Sequence, residues 1–316
     1  MKKTILLAFT LLMVSVVFAQ DGKILQRTEL LIPDSVKRVI HNVYPGVANE
    51  ILALRYSRIT YLSDGLKVTA YLVEPRGPGK YPCIVSNRGG NRSFGEWTPL
   101  GIGVFLGQMA SWGYVVVATQ YRGVDGGEGV EEFGGKEIND VLNLIPVLAQ
   151  VEHADTSRIG IEGTSRGGMM TYLALKHTCR FKAAAVTAGL ANAFTNIASR
   201  PEMEQYVLSE LIPNYTQNRD AFLKERSVVF WADQLCKTTP LLLMHGSSDW
   251  RVLPAESVEL VSKLVEQRHP TRFILFEGAD HGISEFRQER LAAIRRHFDH
   301  YVRDGKRLPD MEPHGR

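Results

Sequence analysis

Apolar and polar positions along this chain of 316 residues fall into two alternating kinds of run. Short apolar runs, of strand length, recur between longer stretches whose apolar residues return every three or four positions. From about Ile51 the two kinds alternate, which predicts a mostly parallel sheet with helices on both faces, an α/β fold. Two early segments, 55–61 and 67–73, are joined by Ser63-Asp64-Gly65 and predict an antiparallel hairpin. Further strands are expected at 81–86, 114–119, 158–163, 183–188, 241–244 and 272–276. Helices are expected at 103–111, 137–150, 166–177, 255–267 and 284–302. In the second of these, Val141, Leu142, Leu144, Ile145 and Leu148 supply an apolar face at helical spacing.

The alternation breaks between Leu190 and Leu241, a gap too long for an ordinary connection. Segments 203–211 and 219–231 within it look helical, so 191–240 is expected to form a lid over the carboxyl edge of the sheet. Ligands of open α/β sheets bind outside that edge; packing remote from the site is the bland alternative. The predicted organisation is an N-terminal extension at 20–50, an α/β domain at 51–302 and a polar tail at 303–316. No internal repeat stands out.

The first residues change the expected compartment. Met1-Lys2-Lys3, the apolar run from Ile5 to Phe18 and the small residue Ala19 form the three parts of a secretory signal, predicted as a signal peptide at 1–19. The apolar run is shorter than the roughly 20 residues of a spanning helix, and no cysteine follows the cut, so no stable membrane anchor is expected. The protein is then exported, to a bacterial periplasm or the medium. Removing Lys2 and Lys3 lowers the net charge from +3 to +1. Without a basic patch, no nucleic-acid partner is expected.

With 44% hydrophobic and 22% charged residues the chain can bury a full core, which excludes global disorder. Three cysteines, Cys83, Cys179 and Cys236, are too few and too far apart for a disulfide framework or a zinc site. Cys83 lies in an apolar strand, which leaves one bridge between Cys179 and Cys236 open.

Candidate chemistry centres on Gly163-Thr164-Ser165-Arg166-Gly167, a G-x-S-x-G between a predicted strand and a predicted helix. Such an elbow holds a serine in strained backbone geometry while its glycines let strand and helix approach. A serine hydroxyl needs a base to take its proton and a third group to orient that base. Asp249 and His281 each follow a later strand, in the order serine, acid, histidine. Asp280 competes as the acid, but neighbouring side chains on a loop usually diverge. His245 also follows a strand and is passed over for the turn acid Asp249. His297 and His300 lie one helical turn apart with nothing beside them completing a ligand set, so they read as a solvated helix face. Arg287, Arg290, Arg295 and Arg296 read the same way. No metal or other cofactor is expected.

An acyl-transfer site also needs two donors for a developing oxyanion. The Arg166 N–H, just after the serine, is the first expectation. The loop Asn87-Arg88-Gly89-Gly90-Asn91-Arg92 after the 81–86 strand offers the second.

Taken together, Tyr121-Arg122-Gly123 with Gly126-Gly127-Glu128-Gly129, the Ser165 elbow, Gly246-Ser247-Ser248-Asp249-Trp250-Arg251-Val252 and Asp280-His281-Gly282 resemble the catalytic domain of prolyl oligopeptidase-type serine hydrolases. The resemblance spans about 51–302 and implies an α/β-hydrolase fold with Ser165 as nucleophile, Asp249 as orienting acid and His281 as base. Family peptidases place a tyrosine or histidine before the glycine pair, where the tyrosine donates to the oxyanion. Arg88 stands there, leaving the second donor open between its guanidinium and the backbone of Arg88 or Gly89.

Family peptidases also carry a β-propeller, for which about thirty residues before the first expected strand are too few. Peptide selectivity is therefore not implied. The expected substrate is a small ester or short peptide cleaved through an acyl-enzyme. The alternatives are a carboxylesterase or acetyl or dienelactone-type esterase, and, less favoured, a non-catalytic binding protein. Tyr121, Trp231 and Trp250 are candidate substrate-binding aromatics. Nothing in the sequence sets an oligomeric state.

Overall fold

Asp64 and Gly65 both adopt positive φ, 52° and 76°, the backbone of a tight two-residue hairpin turn. Around that turn, in the computed structural model, β2 (Arg55–Ser63) and β3 (Leu66–Glu74) pair antiparallel over their full lengths. Residues 21–315 are described; the predicted signal peptide lies outside them.

The remaining strands are β1 (Ile24–Glu29), β4 (Tyr81–Asn87), β5 (Val115–Thr119), β6 (Ala154–Thr164), β7 (Phe181–Thr187), β8 (Leu241–Gly246) and β9 (Thr271–Phe276). They form one sheet in the order β1-β2-β3-β5-β4-β6-β7-β8-β9. From β5 to β9 every neighbour is parallel, and the β1-β2-β3 edge is antiparallel. This is the α/β architecture expected from the alternation and the α/β-hydrolase fold implied by the resemblance.

Helices cover both faces because the central strands are apolar on both sides, as in other parallel sheets. Arg166–His177 and Pro254–Glu266 belong to one face, with Leu173, Leu260 and Leu264 in its core. The helical run 99–111 and Arg287–Phe298 cover the other, with Leu106, Ile294 and Phe298. The expected helix at 137–150 is split into Ile138–Leu142 and Leu144–Leu148. Pro146 lacks the N–H that would bond the Leu142 carbonyl, so the helical ladder cannot run through.

The sheet begins earlier than Ile51. β1 lies within the expected extension and pairs with β2, and helices Asp34–Val43 and Ala48–Leu52 bury Val36, Ile40 and Ile51 against Val104. β1 was illegible in the apolar pattern because it is an edge strand that keeps most of its residues exposed.

The long interruption folds as short helices, including Ala193–Ser199 and Arg219–Glu225. Its Cys236 is disulfide-bonded to Cys179 at the end of the helix after the elbow, with Cα atoms 5.5 Å apart. Cys83 is fully buried. Among the described residues no helix is long and apolar enough to cross a membrane.

Candidate active site

Ser165 sits between β6 and the helix Arg166–His177 with φ 60° and ψ −125°. That conformation is costly for a residue with a Cβ and clusters at functional sites. Glycine on either side makes it possible. A Cβ on Gly163 would lie 2.1 Å from the Gly167 carbonyl oxygen, and one on Gly167 would lie 2.0 Å from that of Asn87. The elbow is therefore pressed against the end of β4 without room for a methyl group.

Asp249 follows β8 and is 3% exposed. Its Oδ1 accepts the N–H of Arg251 at 2.8 Å and of Val252 at 3.1 Å. Its Oδ2 lies 2.7 Å from His281 Nδ1 and 3.0 Å from His245 Nε2. Burial pushes the carboxyl pKa up, but the bonds from His245 and His281 outweigh it and hold the group well below the usual carboxylate range. His281 follows β9 and shares a cleft with Ser165. With Nδ1 turned to Asp249, its Nε2 is the ring nitrogen left to exchange a proton with a substrate. Asp280 points elsewhere: it accepts from the N–H groups of Gly282 and Ser284 and from the Ser284 hydroxyl, shaping the turn that carries His281.

His245 enters the site as a support. Its Nε2 faces two acceptors, Asp249 Oδ2 and the Val252 carbonyl at 2.9 Å, so the proton resides on Nε2. Nδ1 then accepts the Ser257 hydroxyl at 2.7 Å. Sequence reasoning named His245 only as a rival base, because the contact to Asp249 depends on the turn after β8.

Arg166 does more than present its N–H. Its guanidinium is buried and donates to Glu131 at 2.5 Å and Glu137 at 2.7 Å, between the rings of Tyr121 and Phe133. Burial alone would depress the arginine pKa; the two carboxylates outweigh it and raise it. Glu131 and Glu137 were missed in the sequence, where Glu131 sits in a glycine-rich stretch without periodicity and Glu137 opens the expected helix at 137–150. They tie that loop to the elbow.

The Arg88 guanidinium is committed to backbone carbonyls of Gln120, Gly89, Phe94 and Arg92. It is thereby withdrawn from the oxyanion role left open above. Gly89 lies directly against the serine, since a Cβ there would be 3.3 Å from Ser165 Cβ. No acceptor among the described residues takes the Gly89 N–H. Arg166 is the first residue of its helix, whose leading N–H groups lack intrahelical acceptors.

A cleft of about 360 Å³ opens beside Ser165 and His281, walled by lid residues Arg200, Met203 and Tyr206 and by Trp250. Of the three expected aromatics, Trp250 is there, 65% exposed, with Arg200 and Arg251 stacked on its ring. Tyr121 and Trp231 are not. Tyr121 is fully buried, its hydroxyl donating to the Arg88 carbonyl. Trp231 is spent on the lid's own packing, donating to the Lys224 carbonyl beneath Lys176. Both are corrections with one cause: an aromatic placed near a site by sequence still turns toward whatever buries it best.

His297 is also less solvated than expected. Its Nε2 meets the Pro240 carbonyl, and burial lowers its pKa to about 4. Among the described residues no group of three or more His, Cys, Asp or Glu is arranged to hold a metal.

The family model described as "Prolyl oligopeptidase family" matches residues 106–305. The chain belongs to that family. It is a serine hydrolase. The uncharacterized peptidase YtmA of Bacillus subtilis (strain 168) is 33% identical over 225 residues, 69% of this chain and 82% of that protein. Dipeptidyl-peptidase 5 of Porphyromonas gingivalis is 26% identical over 294 residues, 83% of this chain but 41% of that one. Solved structures agree in fold: a Pyrococcus horikoshii acylaminoacyl peptidase superposes with TM-score 0.70 at 24% identity, over 85% of this chain and 45% of that one. An acetyl xylan esterase from Paenibacillus sp. R4 gives 0.64 at 19% identity, over 89% of this chain and 90% of that one. This prolyl oligopeptidase-family chain thus spans most of YtmA and less than half of the dipeptidyl- and acylaminoacyl peptidases it matches.

Proposed function

We propose that this protein is an exported serine hydrolase that cleaves short peptides through an acyl-enzyme on Ser165. The observation that carries the proposal is the Asp249–His281 bond of 2.7 Å beside a strained elbow serine in one cleft. Ser165 Oγ attacks the scissile carbonyl carbon while His281 Nε2 takes its proton. Asp249 accepts the Nδ1–H and stabilises the imidazolium. The N–H groups of Arg166 and Gly89 receive the oxyanion. Collapse of the tetrahedral intermediate passes the proton from Nε2 to the leaving amine, and a water repeats the sequence on the acyl-enzyme.

Peptide cleavage follows the peptidase relatives. Ester hydrolysis is the second reading, favoured by the esterase neighbour whose length this chain nearly matches. Export is supported by the leader pattern and by the Cys179–Cys236 bridge, since disulfides persist in oxidising compartments.

A fluorophosphonate probe should label Ser165 stoichiometrically, and Ser165→Ala should lower kcat/KM by several orders of magnitude. Folded protein that stays unlabelled would overturn the mechanism. Comparison of kcat/KM for aminoacyl-nitroanilides and short-chain nitrophenyl esters, with Ser165→Ala as control, separates the two substrate classes.

A further inference from the structure

The loop that carries Gly89, one of the two oxyanion donors, is tied to the lid through a single residue. Arg92 donates from Nη1 to the Tyr206 carbonyl at 3.2 Å and from Nη2 to Glu210 Oε2 at 2.5 Å. Both acceptors lie on the helical run 201–211 of the lid. Among the described residues no other member of 87–96 is hydrogen-bonded to 191–240. The run is a firm anchor. Val207, Leu208 and Leu211 are buried in the core, and Glu204 accepts the Tyr215 hydroxyl at 2.7 Å and bonds Arg219.

The loop has no such packing. Arg92 to Gly95 are exposed, so polar contacts rather than burial fix its outer half. Arg92 adopts φ 50°, a backbone state that persists only where its surroundings hold it. Gly89 and Gly90 offer little resistance to rotation of their own.

From Arg92 the main chain reaches both oxyanion donors. Its N–H donates to Glu131, whose other oxygen takes the Arg166 guanidinium at 2.5 Å. Its carbonyl accepts Arg88 Nη2 at 2.9 Å, and Arg88 Nη1 holds the Gly89 carbonyl at 3.2 Å. Arg166 closes the circuit by donating to the Gly90 carbonyl at 3.0 Å. The lid also grips the Glu131 segment directly, through Arg226, which donates to the carbonyls of Phe133 at 2.7 Å and Glu132 at 2.8 Å. Oxyanion donors act only within about 2.7–3.1 Å of the developing charge, so a small shift of this loop is felt in the rate.

We infer that Arg92 is a positioning residue for the oxyanion hole, and that its bond to Glu210 makes the placement of the Gly89 and Arg166 N–H groups depend on the docked lid. The inference rests on the hydrolase reading above. Arg92 is not among the residues lining the cleft that holds Ser165 and His281; it acts through the loop and touches no reacting atom. The Arg92–Glu210 pair is 44% and 55% exposed. Such a pair is weak and screened by salt, which gives this link a signature that packing contacts lack.

The test is made on the full chain through Glu210, which lies outside the cleft and has Arg92 as its hydrogen-bond partner. With a short-chain nitrophenyl ester at low salt, Glu210→Ala should lower kcat and kcat/KM together by about threefold to fivefold, with KM unchanged. Glu210→Arg, which sets like charges together, should lose more, and Glu210→Gln, which keeps an acceptor, should lose less. Raising salt from about 0.05 M to about 0.5 M should bring the wild type toward Glu210→Ala, whose own rate stays level. The deciding readout is an aryl trifluoromethyl ketone. Ser165 Oγ adds to its carbonyl carbon, the proton passes to His281, and the carbonyl oxygen becomes the oxyanion. Its inhibition constant should rise across the variants by the factor that kcat/KM falls. A lower kcat with an unchanged inhibition constant reports fewer folded molecules rather than displaced donors and overturns the inference. So do equal rates for wild type and Glu210→Arg, or a change confined to KM. Wild-type protein that a fluorophosphonate fails to label overturns the hydrolase reading instead.

Discussion

Replacing His245 probes how Asp249 is held. The carboxylate accepts four bonds, two on each oxygen, and His245 supplies one of the two on the oxygen that also receives His281. A hydrogen bond to a charged group is worth about 1.5–3 kcal/mol. If all of it were transmitted to the orientation of His281, kcat would fall by at most about 10- to 150-fold. Two amides divide the ring's functions. His245→Gln keeps an N–H near the position of Nε2 and so retains a donor for Asp249; His245→Asn reaches only as far as Nδ1 and Ser257. We expect Gln to stay within a few-fold of the wild type in kcat and Asn to lose at least tenfold, with KM little changed in both. Stability should follow the same order in urea titrations, because Asn also leaves the Val252 carbonyl without its partner. Equal kcat for wild type and Asn, or equal losses for Asn and Gln, would refute the positioning role. The acid itself sets the low-pH limit: because its folded pKa is depressed, Asp249 contributes stability that is complete above its unfolded value near 4 and is lost as pH falls below it.

Two further perturbations test the frame around the site. The Cys179–Cys236 bridge spans a separation of 57 residues, for which the chain-entropy model gives about 4 kcal/mol; the double serine variant should lose about that much in urea titrations, and an unchanged midpoint would refute its structural weight. Glu256, 1% exposed, has its pKa raised to about 7 by burial, opposed by the N–H groups of Asn192 and Ala191. Between about pH 4.5 and 7 the folded state therefore holds the proton more tightly than the unfolded chain, so this group's contribution to stability declines as pH rises, by about 3 kcal/mol across the window. Glu256→Gln should gain on the wild type as pH is raised from 5 to 8; a constant difference between the two would count against the buried titration.

The sequence alone determined the succession of most strands and helices along the chain, the elbow, and the placement of Ser165, Asp249 and His281 after three strand ends. Each of these is a local pattern, written in apolar periodicity, glycine spacing and the residues that leave a strand. What only the tertiary structure decided concerns partners distant in the chain. β1 joins the sheet though its pattern is that of an exposed edge. Tyr121 and Trp231 turn away from the cleft, and the Arg88 guanidinium is consumed by four carbonyls. The carboxylates beneath Arg166 come from a loop about thirty residues upstream in the sequence. Arg290, read as part of a solvated helix face, points into a cavity because its helix packs across the ends of strands it does not adjoin in sequence. Periodicity reports that a face is buried; which groups meet there depends on strand order and helix crossing, and those are set by the whole chain at once.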